Sequence, residues 1–185
     1  MRPQKPYFII FMIDLPTHMN TTLTIFADDT NTFSTRVSLF RARSNVQSHL
    51  NKLQRYYQLW KIKVNADKSE ALFIQRSNYA YASKENMSAL EINGSEIPFK
   101  RSVRCLGYYV QPNLKHNEHV NRMLLKAHSG LHKLYPIMKV NNGISKEVKI
   151  RTYVTILRPI LTYAVAIWHD LPKYLIRTLK VFENK

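Results

Sequence analysis

Apolar residues in this chain change their spacing once, at Pro112, and that change limits what each portion can fold into. Beyond it, Val120, Leu124, Ala127, Leu131, Leu134 and Met138 recur every three or four positions, the spacing of a helix face buried against neighbours. Ahead of it, short strand-like runs surround a single helical stretch. There Leu39, Arg43, Val46, Leu50, Leu53, Tyr57 and Trp60 form one stripe, which predicts an amphipathic helix from about Val37 to Lys61. The fold class is therefore α+β, with a mixed portion over 1–111 followed by an all-helical portion over 112–185.

Turn chemistry refines the picture. Leu23 to Ala27 reads as a strand that stops at Asp28-Asp29, and strand-like composition resumes over Thr30 to Ser34. This predicts a hairpin, since Asp tolerates turn dihedrals and the flanks favour sheet. Asn65 and Asp67 end the helical pattern, and Ala71 to Ile74 is expected to be a buried strand. Residues 76–88 are polar apart from Tyr79 and Tyr81 and are expected to form a loop, cut first by limited proteolysis. Asn93-Gly94-Ser95 between Leu90-Glu91-Ile92 and Glu96-Ile97 predicts a second hairpin, and Val103 to Val110 a further strand. Asn142-Gly143 is a stop signal. Ser145 then caps a helix holding Val148, Thr152, Thr155 and Ile156, Pro159 restarts or kinks it, and Pro172 opens a last helix with Leu175, Leu179 and Phe182 on one face.

Composition adds electrostatics. The 185 residues hold 28 Lys and Arg against 12 Asp and Glu, for a formal charge of +16. The excess is lopsided: residues 1–96 carry 12 basic and 8 acidic side chains, residues 97–185 carry 16 and 4. With 45% apolar residues the chain has material for a core, so it is no disordered polycation, and a folded basic chain points first to nucleic acid. The single cysteine, Cys105, allows no internal disulfide and no zinc spacing. The apolar run 7–13 runs into Asp14-Leu15-Pro16, and Tyr153 to Trp168 contains Arg158 and Pro159. Neither suits a signal peptide or a membrane span, so both read as core segments. The location expected is intracellular, in nucleus or cytoplasm, neither secreted nor in a membrane.

The sharpest chemical feature is Asp28-Asp29. Adjacent carboxylates at a hairpin tip can hold divalent cations through hard oxygen ligands, as two-metal phosphoryl transfer requires; Asp is also simply a favoured turn residue. The context decides in favour of the chemistry. The run Leu23 to Thr30, LTIFADDT, resembles the aromatic-x-Asp-Asp catalytic hairpin of reverse transcriptases, in the form used by non-LTR retrotransposons of the jockey type. The resemblance continues in order. Pro6 to Pro16 is similar to the segment ahead of that hairpin, and Trp60 to Ser69 to the next motif with its N-x-x-K. Arg104 to Tyr108 resembles the Y-L-G strand of the primer grip, with Arg104-Cys105 in place of Lys-Tyr. Arg158 to Ala164 with Trp168 is similar to the K-P-x-x-x-Y-G…W helix of the thumb, and Val181 to Lys185 to the start of the helix that follows.

The resemblance implies a partial palm over 1–111 and a thumb over 112–185, acting on an RNA template, a DNA primer and, in the parent enzyme, a dNTP. Asp28 would be a ligand of both Mg²⁺ ions, Asp29 its weaker companion, and Phe26 an aromatic residue beside the primer terminus. Lys68 matches a lysine near the leaving pyrophosphate, with a solvated surface lysine as the alternative. Leu106 and Gly107 would shape the strand supporting the primer end, with a buried strand and a close-approach glycine as the alternative. Apart from the resemblance, the placement of charge lets Lys126 and Lys133, with His119 nearby, lie on one side of the helix after Pro112 and meet backbone phosphate, with a merely solvated helical face as the alternative. The family's site also uses an earlier Asp and the fingers. Asp14 is the one candidate for that Asp, and it falls in a turn, while Arg2 to Lys5 would be a remnant of the loop that positions template and nucleotide. A chain truncated in this way is expected to bind Mg²⁺ weakly, to be inactive alone, and to self-associate through an unpaired sheet edge. The alternatives are a non-catalytic basic nucleic-acid-binding module, gripping phosphate through bases such as Lys149, and a decayed element remnant.

Overall fold

A computed structural model describes residues 10–74 and 88–183. The expected loop over 76–88, the start of the apolar run, the Arg2 to Lys5 stretch and the last two residues therefore fall wholly or largely outside the described residues. Helices and small antiparallel hairpins make up the fold, which is α+β. Two compact units are present, residues 10–71 with 88–100 and residues 72–74 with 101–183.

In the first unit, β1 (Thr22–Phe26) and β2 (Asp29–Phe33) form one hairpin, and β3 (Leu90–Ile92) and β4 (Ser95–Ile97) another. Helix α1 (Leu39–Leu59) serves both. Its Leu53 and Tyr57 join Met12 and Leu15 in a buried cluster against which Leu23 of β1 packs. Its Val46 and Leu50 pack on a second cluster of Ala71, Leu90, Ile92 and Ile97. Polar residues of the same helix satisfy strand backbone. Gln47 exchanges two hydrogen bonds of 2.9 Å with the main chain of Glu91, Gln54 accepts from the Asn93 N–H at 2.8 Å, and Arg43 donates to the Ser88 and Ala89 carbonyls. A short strand edge is thereby covered by side-chain amides instead of a neighbouring strand. Tyr56 donates to the Phe11 carbonyl, and fully buried His49 bonds both the Pro16 carbonyl and the Thr21 hydroxyl at 2.7 Å, which ties residues 11–21 to the helix.

Helix α1 ends in a Schellman motif. Lys61 N–H reaches the Gln58 carbonyl at 3.1 Å, Ile62 N–H reaches Tyr57 at 2.8 Å, and Lys61 is left-handed at φ 54°. Ile62 packs against the Leu53–Tyr57 cluster, the hydrophobic contact that accompanies this cap. Glycine is the usual residue at that position, and a side chain there costs about 1 kcal/mol. The Asn93-Gly94 turn, with φ 52° and 75°, is the expected two-residue type.

In the second unit, β5 (Val103–Cys105) and β6 (Tyr108–Val110) pair as a third hairpin. It packs on α2 (Asn117–Met138), followed by α3 (Lys146–Thr152), a π-helical turn (Tyr153–Leu157), α4 (Arg158–Leu161), α5 (Val165–Trp168) and α6 (Lys173–Glu183). The core joins Tyr108 to Val120, Leu124 and Ala127 of α2 and to Leu161, Trp168, Leu171, Leu175 and Phe182. Ser145 caps α3 as expected, its hydroxyl accepting from Val148 N–H. The end of α2 is closed by Asn142, which donates to the Pro136 and Ile137 carbonyls, and Lys149 donates to the carbonyls of Lys139 and Val140 just beyond it.

Three expectations need correction. Val103 to Val110 is a hairpin, because Leu106 and Gly107 both turn left-handed, at φ 48° and 84°. Ala71 to Ile74 is no strand: Ala71 alone bridges Phe99, between an N–H bond to Pro98 and a carbonyl bond from Lys100. The helix after Ser145 buries Leu157 instead of Val148 and Ile156, both about half exposed. The π-helical turn inserts one residue into the periodicity and rotates the inward face by one position. We therefore expect Leu157→Ala to cost about 2–5 kcal/mol and Ile156→Ala under about 1 kcal/mol by chemical denaturation; equal costs would refute the shifted phase.

Candidate nucleic-acid interface

The β1–β2 hairpin turns at Ala27-Asp28, one residue earlier than the sequence pattern indicates. Ala27 takes the left-handed conformation, at φ 52°, and Asp29 becomes the first residue of β2, paired with Phe26. Strand alternation then places Phe26 and Asp29 on one face with the Thr24–Asn31 and Thr22–Phe33 pairs. Both aspartates are exposed, as are Phe26 (63%) and Phe33 (50%). The opposite face carries Leu23 and Thr30 toward α1. Burial raises the Tyr57 hydroxyl pKa, and the Thr30 side chain opposes the rise.

Mg²⁺ accepts one or two carboxylates with water and substrate phosphate oxygens completing its shell. Asp28 and Asp29 are two adjacent, exposed carboxylates of this type. Among the described residues, no group of three or more His, Cys, Asp or Glu converges. Asp14 is exposed at the end of the helical turn formed by residues 10–13. Lys68 stands in a separate 3₁₀ turn (Ala66–Lys68), exposed, and no hydrogen bond or ion pair joins it to either aspartate.

In the second unit the Leu106-Gly107 turn is gripped by Tyr163. The Tyr163 hydroxyl donates to the Leu106 carbonyl, and a methyl group at Gly107 would meet that hydroxyl at 3.0 Å and the ring at 3.2 Å. The Tyr163 carbonyl in turn accepts from Trp168 Nε1 at 2.7 Å and from His119 Nε2 at 3.3 Å. Tyr163 and Trp168 share one sequence motif, which by itself assigns Tyr163 no role. The only signal was an aromatic four residues past Pro159.

The line expected through His119, Lys126 and Lys133 is split. Lys126 and Lys133 lie exposed on one side of α2, whereas His119 is fully buried against Tyr108, Tyr163 and Trp168. Arg122, between them, bonds Glu118 at 2.6 Å and lies 4.4 Å over the Tyr109 ring, which faces Arg104 across the hairpin. Lys149 is occupied with the carbonyls after α2, so it serves the fold.

Burial lowers the His119 pKa from 6.5, nearby His116 and Lys126 lower it further, and the bond to Tyr163 opposes them. Its Nδ1 has no hydrogen-bond partner among the described residues. The unfolded chain therefore takes up a proton below pH 6.5 that the folded one refuses, so this stability is intact above that pH and is lost on acidification toward the folded pKa. His119→Phe should flatten that loss in urea melts taken from pH 7.5 to 5. Tyr163→Phe should cost about 0.5–1.5 kcal/mol. Gly107→Ala should cost more, about 1–3 kcal/mol, because it adds a left-handed penalty to the overlap with Tyr163.

The chain is similar over nearly its whole length to two curated proteins, each an "RNA-directed DNA polymerase from mobile element jockey". The Drosophila melanogaster protein is 21% identical over 96% of this chain and 20% of its own length, and the Drosophila funebris protein is 20% identical over the same shares. The chain thus spans about a fifth of the length of the curated relatives it matches. No family model and no solved structure matches it. No described helix is long and apolar enough to cross a membrane. The distant likeness supports a chain related to the reverse transcriptases of such elements.

Proposed function

We propose that this chain is a reverse-transcriptase-related segment. Its first unit supplies the carboxylates of a metal-dependent nucleotidyl-transfer site, and its second unit grips the backbone of an RNA–DNA primer–template duplex. The observation that carries this reading is Phe26 paired with Asp29 beside Asp28 at an exposed hairpin tip, within a chain similar throughout to the jockey polymerases. A bound Mg²⁺ pair neutralises and orients phosphoryl oxygens. The chain's own part is to present two adjacent carboxylates at the tip of a hairpin packed on α1 through Leu23, with the Phe26 ring open to a nucleobase face. Lys68, exposed and without an ion pair among the described residues, offers a positive charge to phosphate. Leu106 and Gly107, held by Tyr163, form a rigid tip on the primer side, and Lys126 and Lys133 meet the strand backbone.

Alone, the chain does not polymerise in this reading. The parent family's metal site takes a further Asp from another strand, and Asp14 sits at a helical turn. Misplacement of a catalytic group by about 1 Å already costs ~10²-fold in rate. A binding role without chemistry is the second reading, favoured by Lys126 and Lys133, which stand exposed without an acidic partner among the described residues.

Primer extension on a primed RNA template with Mg²⁺ or Mn²⁺ should give no product. Extension lost in Asp28→Ala would overturn the inactivity and establish Asp28 as a metal ligand. The same duplex should bind with an affinity that falls steeply with salt, unchanged by Asp28→Ala. Lys126→Ala with Lys133→Ala should lower the log–log salt slope by about 2. No duplex binding at low salt would refute both readings.

A further inference from the structure

Two asparagines in the chain precede a glycine, Asn93 and Asn142, and the fold treats their side chains in opposite ways. Both glycines are left-handed, at φ 75° and 71°, and a methyl group added to either would meet nothing within 4 Å. The glycine side of each pair is open, so the difference lies in the amides. Every polar atom of the Asn142 side chain is engaged: Nδ2 donates to the Pro136 carbonyl at 2.7 Å and to the Ile137 carbonyl at 2.6 Å, and Oδ1 accepts from Ile144 N–H at 3.1 Å. Asn93 is exposed at the tip of the β3–β4 hairpin, and among the described residues its side-chain amide has no hydrogen-bond partner. Its main chain is held by Gln54, whose Oε1 accepts from Asn93 N–H at 2.8 Å. The hairpin behind it has three residue pairs, and so short a ladder opens readily at its tip.

We propose that Asn93 is a site of spontaneous deamidation and isoaspartate formation, and that the cap of α2 protects Asn142 from the same reaction. Asparagine is among the thermolabile residues. Asn93 is left-handed in a tight turn, at φ 52°, so ring closure follows opening of the tip. The Gly94 nitrogen then attacks Cγ of Asn93, the bond from Cγ to Nδ2 breaks, and the proton from Gly94 N–H leaves with Nδ2 as ammonia. The product is a cyclic imide, and water opens it at either carbonyl. Water at Cγ gives aspartate. Water at the main-chain carbonyl gives isoaspartate, whose backbone runs through the side chain and is longer by one methylene. For Asn142 the same attack first requires the loss of its three side-chain bonds and the uncapping of α2. An added methylene between Ile92 and Ser95 breaks the register that pairs them, and Ile92 belongs with Leu90 and Ile97 to the cluster packed on α1. Isoaspartate therefore loosens the first unit from its tip. Aspartate keeps the backbone and places a carboxylate in the groove that Lys61 and Lys63 line. Neither outcome depends on the polymerase reading or on any ligand.

The test is ageing of the full chain in mildly alkaline buffer at physiological temperature, both folded and in urea. Peptide mass mapping reads amide-to-acid conversion at each asparagine, and isoaspartyl methyltransferase labelling reads the isomer. In the folded chain Asn93 should convert about tenfold or more faster than Asn142. In urea, where both have lost their bonds, the two rates should match. Gln54→Ala, which frees the Asn93 N–H, should speed conversion at Asn93 severalfold and leave Asn142 unchanged, the latter serving as the control for global unfolding. The isoaspartate form should melt at a lower temperature than Asn93→Asp. An intact Asn93 after ageing would overturn the proposal, as would equal rates at the two sites in the folded chain or a difference that persists in urea.

Discussion

A two-stranded hairpin cannot hold itself together in water, because one turn and a few cross-strand pairs do not offset the entropy of ordering it. Every strand described in this protein belongs to such a hairpin, so each hairpin takes its stability from a helix. Helix α1 supports two of them by different means. β1–β2 lays Leu23 on the Leu53–Tyr57 cluster, whereas β3–β4 packs Leu90, Ile92 and Ile97 against Val46 and Leu50 and is also stitched along its edge by Gln47, Gln54 and Arg43. β5–β6 instead buries Tyr108 against α2 and is latched at its tip by Tyr163.

This dependence shapes the site. The carboxylates stand at the free end of a hairpin whose apolar anchor, Leu23, lies toward its base, so the tip is presented outward while the base is held. Phe26 and Phe33 remain open on the face shared with Asp29. Two aromatic rings on an exposed face are costly to leave in water, and a stacked base or a packed protein segment would relieve that cost. The Leu106-Gly107 tip differs. A leucine held left-handed is unfavourable on its own, and it persists because Tyr163 closes over the turn and bonds its carbonyl.

What the sequence disclosed and what it hid follow from the range of the interactions. The α1 stripe, the Asn93-Gly94 turn and the Ser145 cap are local: residues within a few positions decide them, so periodicity and turn chemistry suffice. The β5–β6 turn is not local, since Val103 to Val110 reads as uninterrupted strand and the residue that fixes its bend lies 57 positions away. The π-helical turn is hidden for another reason, because Val148, Ile156 and Leu157 are all apolar and only a one-residue shift in phase decides which is buried. His49 and His119 are polar residues placed wholly inside, one with both ring nitrogens bonded and one with a single bond, and no hydropathy pattern anticipates that. At the candidate site, adjacency in sequence made Asp28-Asp29 legible, while the grip of Tyr163 on Gly107 required the fold.

Net charge is the property most altered in meaning by the structure. The excess of basic over acidic residues counts every cation alike, yet the cations do different work. Arg43 and Lys149 donate to backbone carbonyls, Arg36 bonds Asn20 and the Thr35 carbonyl, and Arg122 is shared between Glu118 and the Tyr109 ring. A cation already hydrogen-bonded must give up those bonds before it can meet a phosphate, and for Arg43 and Lys149 that would unpair a strand edge or the end of a helix. Among the described residues, Lys126 and Lys133 in one unit, and Lys61 and Lys63 in the other, carry no such obligation. The attraction for polyanions that the composition announces therefore falls to the cations outside this bonded set, since Arg36, Arg43, Arg122 and Lys149 are already engaged by the fold.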